Sequence, residues 1–71
     1  MSKPIWSIKF ALWCKNNGYS AQDIADILHL QRGTIYSYWS GVSPVSDESK
    51  KILEQEIGLP IYDTFYNTEM K

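Results

Sequence analysis

Helix punctuation constrains this chain more than any single motif. Pro4 opens a segment that Gly18 closes, and Ser20 opens another that ends near His29. Gly41 closes the next, and Ser46 and Gly58 bracket a fourth. Each of these residues has a physical reason to stand where it does. Proline lacks the N–H that a first helical turn leaves unbonded, serine oxygen accepts a first-turn N–H, and glycine takes the left-handed conformation that ends a helix. The pattern predicts helices over about 4–17, 20–29, 32–40, 46–57 and 60–66, the last opened by Pro60, with a fraying C-terminus. No convincing strand lies between them, so the fold class expected is all-α, in one domain spanning 1–71.

Composition supports a folded domain and removes several function classes. Of 71 residues, 44% are hydrophobic and 14% aromatic against 21% charged, which favours a packed core over a disordered tail. So short a chain buries only about 60% of its unfolded surface, so modest stability is expected. One cysteine excludes an intrachain disulfide, and one histidine with one cysteine cannot build a four-ligand zinc site. No metal or cofactor is expected. Lys9 interrupts the apolar N-terminus, and no run approaches the roughly 20 residues that span a membrane. A soluble, cytoplasmic protein with no membrane partner is the expectation. The serines lack His–Asp partners and His29 lies in a turn without a nucleophile, so no catalytic residue and no enzymatic activity are expected.

Within the helices, apolar spacing assigns faces. The first carries Ile5, Ile8 and Leu12 on one stripe and Trp6, Phe10 and Trp13 on another; Phe10 and Trp13 read as core, while a remaining stripe could face a partner. In the second, Ser20 and Asp23 form a capping-box arrangement, and Ile24, Ala25 and Leu28 supply the buried face. Ile27 is either extra core or an exposed anchor. Leu30 is expected to point inward. In the third helix Ile35, Tyr38 and Trp39 turn inward, leaving Arg32, Gly33, Thr34, Tyr36, Ser37 and Ser40 on the other face. The fourth buries Ile52, Leu53 and Ile57. The fifth should bury Ile61, Phe65 and Tyr62. His29 reads as a turn residue and Cys14 as a small buried apolar group.

The stretch from Tyr19 to Gly41 (YSAQDIADILHLQRGTIYSYWSG), a proline-containing loop and then IGLPIYDTF resemble the Cro and lambda-repressor-like helix-turn-helix family over about residues 8–66. The resemblance implies a compact five-helix domain whose third helix is the recognition helix and whose second crosses the DNA backbone. Four positions depart from the family pattern. Ala21 replaces a phosphate-touching glutamine, His29 replaces the turn glycine, and Cys14 and Trp39 stand where many members pair an arginine with a glutamate. Joint loss of both partners avoids a lone buried charge; an apolar Cys14–Trp39 contact, with both side chains largely buried, is the expected replacement.

Charge separates two functional readings. Seven Lys/Arg against eight Asp/Glu give a net charge of -1, and between Ser20 and Gly41 Arg32 is the lone cation beside Asp23 and Asp26. A face so poor in cations gains little from counterion release on DNA. In size and charge the chain is similar to the modulator-of-repression antirepressors of temperate phages. That similarity implies a regulator of a genetic switch whose partner is the DNA-binding domain of a cognate repressor. The alternative is a Cro-like repressor that reads operator DNA through its third helix, and a homodimer is compatible with either. In both readings the candidate partner- or DNA-binding residues are Gln22, Asp23, Asp26, Ile27, Arg32, Gly33, Thr34, Tyr36, Ser37 and Ser40. Whatever the partner, Ser20→Ala should destabilise the protein by about 0.5–2 kcal/mol through loss of the cap. An unchanged urea midpoint would place the helix start elsewhere.

Overall fold

The computed structural model describes residues 3–67, so the expected C-terminal fraying lies outside the described residues. Helix α1 runs Ile5–Asn16, α2 Ala21–Leu28, α3 Arg32–Ser40 and α4 Asp47–Ile57, followed by a π-helical turn over Tyr62–Tyr66. The described residues contain no strand.

Capping chemistry sets these limits. Ser20 and Asp23 close a full capping box: the Asp23 N–H donates to Ser20 Oγ at 3.2 Å, and the Ser20 N–H donates to Asp23 Oδ2 at 2.9 Å. Ser46 caps α4 by accepting from the Ser49 N–H at 3.2 Å. His29 ends α2 in the left-handed region at φ 57°, a conformation non-glycine residues adopt at a cost. Leu30 N–H then donates back to Ala25 O at 2.9 Å, the 6→1 bond of a Schellman end. Only three residues, 29–31, separate α2 from α3.

The core gathers on Phe10. Its ring is fully buried and meets Trp39 at 6.2 Å and Phe65 at 5.4 Å, both edge-on. Cys14, Ile24, Ala25, Ile35, Leu53 and Leu59 are also fully buried. α2 packs against α3 and α4, while α1 packs against α3 and the C-terminal turn. Two lysines tie that turn down. Lys9 Nζ donates to the carbonyls of Asp63 and Asn67, and Lys50 Nζ sits over the rings of Phe65 and Tyr66 at 5.1 and 4.6 Å.

Three expectations change here. Leu30 does not turn inward: it is 39% exposed, because the left-handed His29 breaks the register that would carry it onto the buried face of α2. Tyr62 is likewise outside, at 69% exposure. The last element is a wide π turn, closed by Asn67 N–H donating to Tyr62 O at 2.6 Å; its wider spacing turns Thr64 and Phe65 inward in place of Tyr62. On α1 the buried stripe is Ser7, Phe10 and Cys14, and Leu12 is 47% exposed.

Gly41 and Gly58 both end helices at positive φ, 80° and 72°. They differ in surroundings. A Cβ on Gly41 would lie 2.3 Å from Pro4 Cδ, whereas one on Gly58 would meet nothing within 4 Å. Gly58→Ala should therefore cost only the left-handed penalty of about 1–2 kcal/mol. Gly41→Ala should cost clearly more, since α1 must also lift away from α3. Equal urea midpoints for the two variants would show that this close approach is not needed.

Candidate interaction surface

The outward face of α2 is built by helical period from Gln22, Asp23 and Asp26, all exposed. All three are engaged locally. Asp23 carries the capping box, and Gln22 Nε2 donates to Asp26 Oδ1 at 2.8 Å. Ile27 sits at the edge of this face, partly buried and packed against the core, which answers the core-or-anchor question largely in favour of core.

On α3, Arg32 and Tyr36 stand one turn apart, with Gly33, Ser37 and Ser40 beside them. Arg32 and Gly33 are exposed, and Tyr36 is 55% exposed. Ser37 and Ser40 are half-buried and turn their hydroxyls back into the helix, Ser37 Oγ to Gly33 O at 3.2 Å and Ser40 Oγ to Ser37 O at 3.1 Å. Thr34 lies on the far edge of the helix and is half-buried. The exposed side chains of α3 without a hydrogen bond among the described residues are thus Arg32 and Tyr36; Asp26, across on α2, already holds Gln22.

Tyr36 leads to a feature the residue pattern did not reveal. An open groove of about 530 Å³ is lined by Ala11, Lys15, Gly18, Tyr19, Ser20, Ala21, Tyr36 and Trp39. Its aromatic side chains are braced. Tyr19 stacks on Trp13 at 5.8 Å, with ring planes 6° apart, and Tyr36 meets Trp39 edge-on at 6.0 Å. The space exists because Ala11, Gly18 and Ala21 are small. The sequence signal was there, small residues interleaved with aromatics, but they lie on three elements that only the fold brings together.

Trp39 is largely buried, as expected, and packs against the core. Its ring meets Phe10 and Tyr36, and its indole N–H is buried without an acceptor among the described residues. Such an unmade hydrogen bond costs about 1–3 kcal/mol. Cys14 is fully buried, and burial pushes its thiol from 9.0 up to about 12. No group of three potential metal ligands is found among the described residues, and no described helix is long and apolar enough to cross a membrane. No protein-family model matches this chain, no curated protein matches its sequence, and no solved structure matches its fold.

The raised thiol has a definite consequence. The folded state holds the proton more tightly than the unfolded chain, so the thiol's share of stability is complete below pH 9 and is lost as pH rises through about 12. At pH 8 iodoacetamide should leave the native protein untouched and label it at the rate of unfolding, which timed mass spectrometry would follow. Rapid labelling of the native state would contradict this burial.

Proposed function

We propose that this chain is a non-enzymatic regulator that uses its α2–α3 surface, in a helix-turn-helix arrangement, to bind another protein. The partner that fits is the DNA-binding domain of a cognate repressor, which makes the chain an antirepressor of a phage-type transcriptional switch. The observation that carries this reading is Tyr36: a braced, half-exposed aromatic ring on α3, where α2 and α3 together carry one cation, Arg32, and the acids Asp23 and Asp26. A repressor's DNA-reading face is basic, and such a face is better matched by these acids than phosphates are. A rigid tyrosine near the centre of a protein interface is also a common source of binding energy. Lys9 and Lys50 are engaged at the C-terminal turn and not on α3.

One observation favours the second reading, direct operator recognition. Arg32 is exposed in the first turn of α3, where a bidentate contact to guanine is geometrically natural.

The two readings rank the same two variants in opposite order. Against a repressor domain, Tyr36→Ala should weaken binding by about 2 kcal/mol or more and Arg32→Ala by less. Against operator duplex, Arg32→Ala should dominate, at about 1–3 kcal/mol. Titrating both variants against the neighbouring regulatory DNA and the adjacent repressor, at about 0.15 M salt where phosphate contacts are weakened, decides between them. The expected result is repressor binding impaired most by Tyr36→Ala, with no tight DNA binding by the protein alone. Sequence-specific DNA binding abolished by Arg32→Ala would reject the protein-directed reading.

A further inference from the structure

The groove beside Tyr36 is a recognition element in its own right. It is open along one side, so an occupant would be enclosed only partly, unlike a small ligand in a closed pocket. Tyr19, Tyr36 and Trp39 offer apolar ring surface, and Ala11, Gly18 and Ala21 leave room for a bulky side chain. Lys15 is the one side chain among its lining residues that is charged at neutral pH, and it is exposed. Apolar surface beside a single ammonium is complementary to an apolar side chain beside a single carboxylate.

We propose that this groove docks a partner-protein segment in which a bulky apolar residue is followed by an acidic one, the ring or aliphatic side chain lying among Tyr19, Tyr36 and Trp39 and the carboxylate meeting Lys15. This goes beyond the reading above, because a segment of that chemistry can belong to a partner of any function. The open shape favours a peptide chain, whose backbone continues along the surface, over a free aromatic acid. One cation is also too little for a nucleic-acid strand, which needs a track of positive charge as well as stacking surfaces.

The test uses the full chain, labelled with nitrogen-15, and the probe acetyl-Gly-Phe-Glu-Gly-amide. Its partners are the same peptide with glutamine in place of glutamate, free N-acetylphenylalanine, and a short single-stranded pyrimidine oligonucleotide. Binding in the groove should move the amide signals of Tyr19, Ser20, Ala21 and Tyr36 and the indole N–H of Trp39. The glutamate peptide should bind about two- to fivefold tighter than its glutamine counterpart, the range one exposed ion pair provides. Lys15→Gln should erase that difference and keep the weaker binding. Ala11→Leu, at a partly exposed helical position, should fill the groove and abolish both; should it perturb the fold, Lys15→Gln still decides. Four results would each overturn the proposal: shifts that avoid the groove, equal affinity for the two peptides in the unaltered protein, tighter binding of N-acetylphenylalanine, or tighter binding of the oligonucleotide.

Discussion

Phe10 is the contact on which the rest depends. Its ring sits edge-on to Trp39 of α3 and to Phe65 of the C-terminal turn, so one side chain joins three elements far apart in sequence. Edge-to-face packing adds directional preference to simple burial. In a domain that buries so little of its surface, a ring shared among three elements contributes disproportionately to holding them in one arrangement. The close approach of Pro4 to Gly41 belongs to the same junction: α1 reaches Trp39 only because the end of α3 carries no side chain at that point.

That junction also shapes the candidate surface. With one face turned to Phe10, Trp39 presents another to Tyr36 and the groove. Bracing matters for recognition. A tyrosine already held by Trp39 loses little rotamer freedom on binding, and immobilising a free side chain costs about 0.5–1.5 kcal/mol. Tyr19, stacked on Trp13, has the same advantage.

Electrostatics follows a similar division of labour. The acids on α2 are tied into local structure, Asp23 in the cap and Asp26 to Gln22, yet a capping carboxylate keeps its negative charge and its field. Lys9 donates to carbonyls and Lys50 lies over rings at the C-terminal turn. The result is a nearly neutral molecule whose α2–α3 surface leans acidic, with Lys15 as the local exception at the groove.

The four long helices were legible from residues alone because their limits are decided by local chemistry. Ser20, Asp23, Gly41, Ser46 and Gly58 act on hydrogen bonds within a few positions, so no distant contact can easily overrule them. The buried set of α2 was legible too, since Ile24, Ala25 and Leu28 follow the helical period. What the sequence left open lies where the outcome depends on packing. Leu30 and Tyr62 have the hydrophobicity of core residues, but a left-handed cap and a π turn rotate them to the surface. Ile27 is apolar in either place, and only the assembled core decides that it packs. The groove was not legible from any one segment, because its width is the distance between α1, α2 and α3. Residue identities decided which side chains can bind; the tertiary structure decided which of them stand together, because a concave surface is a property of how helices are spaced and not of any one helix.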